Sequence, residues 1–417
     1  MRELDECGDL TVLSPGVFSV LHLRAIEEPL FSNLERLRLR WIAGGFIPFI
    51  PLFLSPRTAV VHITFTESDC PSAVVASMIS TFPTLCPNLQ GITLTFLPRN
   101  PIIAAAVSGM ILANRNTLRY IDVDSLLTEE AREVIFKLPG LRELSILTER
   151  GDSLPSVELP NLTNLTIEHG HDSNWLRMFR GATFGKLEVI TFHSWPNPTD
   201  DFLDAFESAL TASTSATLSA LRFYTPRSWR PNYRSLLPFT RLKRLTVEFS
   251  CDDGCSSTID DDIITDIARA MPGLETLQLG GTPCRIPTGV TARGLTALAH
   301  HCLRLSTLTI HIQVAGLDLP AVPVVPPGET AIPRGDCALT DICVGKIPLP
   351  EEYALAVAIT LLRIFPHIDD IRYLDGGWRK VVDAVKLFKR LIDHSSKIPS
   401  LAQPRSKVYD TSTRSRI

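Results

Sequence analysis

Three histidines near the middle of the chain are the first residues whose spacing could support chemistry. His169 and His171 follow one apolar segment, and His193 follows the next. If the two segments are neighbouring strands, the imidazoles could approach one another closely enough to bind zinc or to serve a hydrolase. No fourth zinc ligand is evident, so exposed loop histidines are the favoured interpretation. A hydrolase using these histidines remains a remote alternative.

A second candidate is the segment around residue 250, which combines thiols and carboxylates. Cys251 and Cys255 are separated by three residues, unlike the CxxC spacing of metal-binding pairs, and no partner pair follows. The neighbouring acidic residues are Asp252, Asp253, Asp260, Asp261, Asp262 and Asp266. The EF-hand spacing for calcium is absent. A solvated loop leading into an acidic first helical turn is the favoured interpretation, and a docking patch for a basic partner is the alternative.

The strings that mark common catalytic and nucleotide-binding sites are missing from the sequence. It contains no P-loop, GxGxxG, GxSxG or HExxH motif. We therefore expect no catalytic, cofactor-binding or metal-binding residues, and we interpret the chain as a non-enzyme.

Composition and charge narrow the possible partners. The 417 residues include 41 basic and 45 acidic side chains, a net charge of −4, which predicts no general attraction to nucleic acid or membrane. The start MRELDECGD lacks the apolar run of a signal peptide. The longest apolar run, residues 42–54, contains two prolines and is too short to span a bilayer. Nine irregularly spaced cysteines indicate reduced thiols, so we expect a cytoplasmic or nuclear protein.

A ten-residue phrase recurs along the chain and predicts its architecture. LPGLRELSIL (138–147) returns as LPNLTNLTIE (159–168) and as MPGLETLQLG (271–280). Each copy carries apolar residues at i, i+3 and i+5, as in Leu141, Leu144 and Ile146. Such self-similarity is typical of leucine-rich repeats, in which each unit places one short strand beside the strand of the next unit.

Thirteen such triplets are found, and we number each unit from the first residue of its triplet. The units start at Leu34, Val60, Leu89, Leu118, Leu141, Leu162, Leu187, Leu218, Leu242, Leu274, Leu305, Leu339 and Ile368. In a strand, positions 4 and 6 point to the core and position 5 points to the opposite, solvent face. Between the triplets, apolar residues follow a helical period. The predicted fold is an α/β solenoid with a curved parallel sheet on the concave side and helices on the convex side.

The same pattern divides the chain into four parts. Residues 1–30 are a lead-in or a degenerate first repeat, with a weak triplet at Phe18, Leu21 and Leu23. The array covers residues 31–375 and includes a proline-rich loop at 313–336. An amphipathic helix at 376–395 is expected to cap the array, and the basic tail at 396–417 is expected to be disordered.

The concave face is the predicted binding surface, because solenoids commonly bind partners there. Positions 3, 5 and 7 of each unit build this face. Charged and aromatic residues at these positions are Arg36, Arg38, Arg40, Tyr120, Asp122, Asp124, Glu143, Glu168, His193, Arg222, Tyr224, Arg244 and Glu248. They predict a basic start, an acidic middle and a mixed region rich in typical interface residues.

The lead-in LSPGVFSVLHL, the phrase EPLFSNLERLRLRW and the recurring (L/C/M)P(G/N)L units resemble fungal F-box proteins with C-terminal leucine-rich repeats. The resemblance implies a protein-interaction scaffold that selects substrates for a ubiquitin ligase, with an F-box that recruits the Skp1 adaptor. This sequence departs from the family because no F-box-like module with its Leu-Pro start precedes Leu10. Skp1 binding is therefore not expected, and an F-box-less relative or a stand-alone inhibitor or bridging protein remain alternatives.

Overall fold

The structure is a computed structural model that describes most of the repeat region and part of the lead-in. The described residues are 2–6, 16–17, 20–21, 30–66, 70–147, 158–168, 179, 182, 184–193, 202–210, 212–225, 232–249, 259–280, 288–313, 337–344, 349–373 and 376–396. The predicted proline-rich loop, apart from Gln313, and the basic tail beyond Ser396 lie outside them.

Fourteen strands of the described chain form one open parallel sheet in which every strand lies beside its sequence neighbour. The strands are β1 Glu3–Glu6, β2 Arg36–Ile42, β3 Val60–Phe65, β4 Gly91–Thr95, β5 Tyr120–Val123, β6 Glu143–Leu147, β7 Asn164–Glu168, β8 Val189–His193, β9 Ala220–Thr225, β10 Arg244–Phe249, β11 Thr276–Leu279, β12 Thr307–Ile310, β13 Asp341–Cys343 and β14 Asp370–Arg372. A sheet whose order follows the sequence without exception is the mark of a solenoid.

Helices connect the strands and cover one face of the sheet. The α-helices of the described ranges are α1 Ser72–Leu85, α2 Pro101–Ala113, α3 Glu129–Ile135, α4 Phe202–Ala209, α5 Ala212–Thr217, α6 Asp261–Ala270, α7 Ala292–His301, α8 Ala354–Ile364 and α9 Trp378–Ser396. A helix is about 10 Å wide, whereas parallel strands lie about 4.8 Å apart, so a layer of helices needs more room than the layer of strands. The sheet therefore curves and lines the concave side, as predicted.

The register of the sheet confirms the repeat numbering over most of the array. Leu144 on β6 lies beside Leu165 on β7, and Ile146 lies beside Ile167. All four side chains are buried in the continuous core beneath the helices. Each repeat thus buries its apolar pair against the same pair in the next repeat.

Two register predictions are wrong. The unit at Val60 is displaced by two residues, because Val61 and not Ile63 lies beside Leu37. In addition, the first strand is β1 rather than the triplet at Phe18, Leu21 and Leu23. Leu21 lies in a helical segment, and Phe18 and Leu23 fall outside the described residues. β1 pairs in parallel with β2, with Leu4 beside Leu37, so the chain adds a strand earlier than its leucine pattern suggested.

The position-5 threonines are on the predicted face, but most of them are not exposed to solvent. Thr93 is only 2% exposed and Thr191 only 4%. Side chains on the flanking strands cover them, as when the Thr93 hydroxyl donates a hydrogen bond to the Tyr120 hydroxyl at 3.1 Å. The small, β-branched threonine side chains therefore pack closely against their neighbours on the adjacent strands, and they contribute to packing as much as to a polar surface.

Particular side chains account for where several helices of the array begin and for the type of helix that forms. Asn100, Thr128, Asp260 and Thr291 each accept a hydrogen bond from a backbone N–H in the first turn of the helix that follows. In the first full repeat, Pro48 and Pro51 leave a 3-10 helix, Gly44–Phe53, in place of an α-helix. At the far end, α9 buries Trp378, Val381 and Val385 against the core, which is the burial expected of a capping helix.

We expect Leu144→Asp to destabilise the whole array. The side chain is 2% exposed and lies between two other core leucines or isoleucines, so the new carboxylate would be buried without a partner at a cost of about 3 kcal/mol or more. Urea-induced unfolding monitored by circular dichroism measures the effect. Thr276→Asp on the open face of β11, beside Arg244 and Thr307, is the matched control. Equal stability of the two variants would contradict the assignment of Leu144 to the core.

Candidate binding face

The register brings the thirteen predicted residues to one face of the sheet in three patches. The basic patch is Arg36, Arg38 and Arg40 on β2. The acidic basin is Tyr120, Asp122, Asp124, Glu143 and Glu168 on and directly after β5, β6 and β7. The mixed patch is His193, Arg222, Tyr224, Arg244 and Glu248 on β8, β9 and β10. All these side chains are half-buried or exposed.

In the basic patch, one of the three arginines has a partner in the first strand. The Arg38 Nη1 atom lies 3.2 Å from Asp5 Oδ2, and both side chains remain about 40% exposed. His62 on β3 lies beside Arg38. Burial, followed by the charges of Arg38 and Arg40, lowers the pKa of His62, so this ring is neutral at pH 7. His62 was not among the predicted residues, although a histidine at position 3 of the unit at Val60 was an available signal.

A shallow concavity of about 290 Å³ joins the acidic basin to the mixed patch, because Tyr120, Asp122, Glu143 and Glu168 line it together with His193 and Arg222. This is slightly below the usual size of a small-molecule site and suits one or two side chains of a partner. Burial, followed by repulsion from Asp124 and Asp122, raises the pKa of Glu168 to about 7. At neutral pH, Glu168 is therefore present in both protonation states.

Tyr120 forms the wall of the basin and is held as a hydrogen-bond donor. Its hydroxyl donates to Asp122 Oδ2 at 3.1 Å and accepts from the Thr93 hydroxyl. Burial, followed by the negative charge of Asp122, raises the pKa of Tyr120 to about 12. The phenol therefore stays protonated, and it orients the Asp122 carboxylate toward the open face.

The mixed patch presents a rigid aromatic surface. The His193 ring stacks on Tyr224 with centroids 4.6 Å apart and an interplanar angle of 7°. Burial and the Arg222 charge lower the pKa of His193, so the stacked ring is neutral at pH 7. Beside it, Gln278 Nε2 donates to Glu248 Oε2 at 3.0 Å. Gln278 occupies position 5 of its repeat, but an uncharged side chain gave the sequence analysis no reason to select it.

An aromatic pair at the rim of the sheet was also missed. Trp41 and Phe96 stack with centroids 5.7 Å apart, although their strands are separated by β3. Both have positive φ angles, 57° and 59°, and they are 62% and 40% exposed. Backbone strain in bulky residues that remain exposed is typical of functional sites. Both residues occupy position 8, just outside the columns that were considered, and an aromatic there in both units was the available signal.

Most of the residues that could support chemistry lie outside the described part of the chain. His169, His171, Cys251, Cys255, Asp252 and Asp253 lie outside the described residues. Across the described ranges, no three His, Cys, Asp or Glu side chains are arranged to hold a metal ion. The described helices include none that is long and apolar enough to cross a membrane.

The four described aspartates of the acidic cluster have roles within the fold. Asp260 caps α6, and Asp261 accepts hydrogen bonds from the backbone N–H groups of Thr291 and Gly294 at 2.7 and 2.9 Å. Asp262 pairs with Arg293 at 2.7 Å, and Asp266 pairs with Arg234 at 3.3 Å. These contacts favour the helix-start interpretation over a docking patch.

Comparison with protein-family models and with curated proteins finds no match to this sequence.

We expect the contribution of Glu168 to stability to fall as the pH rises from about 4.5 to about 7. Its folded-state pKa of about 7 lies above the usual value of 4.5, so the folded chain holds this proton more tightly than the unfolded chain. The stabilisation is complete below pH 4.5 and is lost as Glu168 ionises. Glu168→Gln should remove this slope and stabilise the fold at pH 8 by roughly 1 kcal/mol after solvent screening.

Urea unfolding at a series of pH values measures this slope. Glu143→Gln, on the neighbouring strand of the same basin, is the matched control and should keep most of it. If wild type and Glu168→Gln have parallel pH profiles, then Glu168 titrates normally and the basin is more hydrated than its burial indicates.

Proposed function

We propose that this protein is a non-enzymatic interaction scaffold whose concave face binds an extended segment of a partner protein. By the family resemblance, we propose that it is the substrate-recognition part of an F-box-type ubiquitin ligase receptor or an F-box-less relative. The proposed ligand is a protein, not a nucleic acid or a membrane, and no cofactor is required.

The observation that carries the proposal is the segregation of charge on the concave face, where the basic patch and the acidic basin lie on different strands. Among the described residues, no lysine or arginine lies within 4.0 Å of Asp122, Glu143 or Glu168. Burial is the larger cause of the raised pKa of Glu168, and repulsion from Asp124 and Asp122 adds to it. A cluster of like charges does not help the chain to fold. At an interface, however, such a cluster attracts and orients a partner of opposite charge.

The spacing of the patches predicts the charge pattern of the partner. β2 and β6 are four strands apart, which is about 19 Å at 4.8 Å per strand. An extended chain advances about 3.3 Å per residue. A segment lying across the strands would therefore place an acidic side chain on the basic patch and a lysine or arginine in the acidic basin about six residues away. Trp41 and Phe96 lie at the rim on the basic side and could take an apolar side chain at the acidic end of the segment.

One measurement distinguishes the ligase role from the alternative role as a stand-alone inhibitor or bridging protein. Stoichiometric Skp1 that co-purifies with the full chain would assign the protein to a ligase receptor. A partner complex without Skp1 would favour an F-box-less relative or the stand-alone role. The hydrolase alternative has little support, because His193 stacks on Tyr224 and the other two histidines lie outside the described residues.

We also propose a cytoplasmic or nuclear location. Cys86, Cys302, Cys337 and Cys343 are buried as free thiols. Burial raises the pKa of both Cys86 and Cys302 to about 12, so they are poor nucleophiles that serve as small apolar side chains. This use of cysteine is typical of proteins in reducing compartments. Localisation of the tagged protein by fluorescence microscopy would test it.

We expect the combined change Arg222→Ala, Tyr224→Ala and Arg244→Ala to weaken partner binding well over tenfold. The three side chains form adjoining parts of the mixed patch, and hot-spot truncations typically cost about 2 kcal/mol each without adding strictly. Partners are first captured with the wild-type chain, and the dissociation constant of a purified partner is then measured by calorimetry for each variant.

The matched control replaces three exposed arginines of the convex helices, Arg269→Ala, Arg363→Ala and Arg390→Ala. It should bind as the wild type does, and both triple variants should show wild-type circular dichroism. If binding survives the concave change but is lost in the convex control, the concave-face proposal is wrong.

Trp41→Gly should separate binding from folding. Glycine relieves the strain of φ 57° by about 1 kcal/mol, whereas loss of the stack with Phe96 costs a similar amount. We therefore expect a melting temperature close to that of the wild type together with clearly weaker partner binding. Leu303→Gly, which removes another exposed apolar side chain, is the comparison for loss of surface area alone. Unchanged binding by Trp41→Gly would remove the aromatic pair from the proposed interface.

A further inference from the structure

A second surface runs along the edge where the strands begin. There, the residue at position 2 of each repeat donates its backbone N–H to the position-2 carbonyl of the preceding repeat. Arg142 donates to Arg119 at 2.7 Å, as Glu35 donates to Arg2 at 2.8 Å and Glu275 donates to Lys243 at 2.7 Å. These backbone hydrogen bonds hold position-2 residues of neighbouring repeats in the same relative geometry along the edge.

On this edge, neighbouring position-2 side chains carry opposite charges in two places and like charges in one place. Arg2 lies 3.7 Å from Glu35, and Lys243 lies 3.9 Å from Glu275. With the same backbone geometry, Arg119 and Arg142 place two positive charges side by side. Like charges on directly neighbouring strands are destabilising. No acidic side chain among the described residues forms an ion pair with either arginine.

A third cation faces the same space. Arg119, Arg142 and Lys186, together with Gly140, Asn161 and Thr163, line a groove of about 350 Å³. Asn161 holds Lys186 in place, because its Oδ1 accepts from Lys186 Nζ at 3.0 Å while its Nδ2 donates to the Pro139 carbonyl at 2.8 Å. The loops approach closely here, since a Cβ on Gly185 would lie 2.8 Å from the Pro160 carbonyl oxygen. Lys186 is therefore positioned by the backbone of two successive repeats.

We propose that this edge groove binds a phosphate monoester dianion. Its charge of about −1.5 to −2 compensates the three cations better than a single carboxylate does. Arginine guanidinium groups match phosphoryl oxygens in two-point contacts, and a lysine adds a point charge. The groove lies at the starts of the strands, outside the concave columns, so this site is independent of the proposed protein-binding role.

The test measures binding of inorganic phosphate and of a phosphoserine peptide to the full chain by calorimetry. We expect both to bind the wild type and to raise its melting temperature more than chloride does at equal ionic strength. Arg119→Gln combined with Arg142→Gln should weaken binding at least about tenfold, because charge-assisted hydrogen bonds are lost. Arg304→Gln is the matched control. Like Lys186, Arg304 is exposed and directly precedes a core leucine on the same edge of the sheet, but it does not line the groove.

A second readout guards against misfolding of the variants. Without phosphate and at low salt, Arg142→Gln should melt at the same temperature as the wild type or higher, because a repulsion is relieved. The two probes distinguish the source of the ligand: tighter binding of the phosphopeptide indicates a modified protein, whereas equal binding indicates free phosphate or a small phosphate ester. Stabilisation no greater than that by chloride, unchanged binding by the double variant, or tighter binding of a phosphodiester oligonucleotide would overturn the proposal.

Discussion

The distance between parallel strands, about 4.8 Å, is the constraint on which the rest of this structure depends. Each repeat can bury its apolar pair only by placing it beside the same pair of the next repeat, as Leu144 and Ile146 lie beside Leu165 and Ile167. The connecting segments differ widely, from a 14-residue helix to a short 3-10 turn. The strands nevertheless stay in register, because a slip by one residue would turn every core side chain toward solvent. The variable segments are therefore confined to the convex side.

In-register strands also place residues of equal repeat position next to one another. A column of like charges then forms whenever neighbouring repeats carry similar residues, and the effect on each group depends on its depth. In the basin, burial and two neighbouring carboxylates raise the pKa of Glu168 to about 7. On the exposed edge, Arg119 and Arg142 meet without such burial. The arginine pair on the edge thus follows from equal repeat positions, whereas the carboxylates of the basin lie at different positions of three successive strands.

The architecture could be predicted from the sequence because its signal is local. The triplet of leucines and isoleucines repeats within a few residues, and the register at Leu144 follows from it directly. The unit at Val60 was misplaced because the segment VVHITF contains apolar residues that fit the repeat in two alternative registers. Only the pairing with β2 shows that Val61 and Ile63 are the core pair of this repeat. β1 was missed because ELDE has a single apolar residue, Leu4, whose burial depends on its neighbour.

The candidate sites were less predictable, because they depend on contacts between repeats. The columns of charge followed from position numbers alone. The stack of Trp41 on Phe96 did not, because it needs two positive φ angles and crosses an intervening strand. The burial of Thr93 likewise depends on Tyr120 of the next repeat. Sequence patterns locate a side chain on a face, but its partners across the strands decide whether it is covered.

The open order of the sheet has a further consequence for self-association. Within the described residues, β1 and β14 are the edge strands of the parallel sheet, where a second copy could extend it into a fibre. Both edge strands are very short, four and three residues, and alternate charged side chains with one apolar residue. If β14 of one copy met β1 of another in register, Asp370 would face Glu3, whereas Arg372 would face Asp5. The repulsive and the attractive pair offset each other, so the short length of both edge strands is what disfavours the head-to-tail polymer that the repeat geometry would otherwise permit.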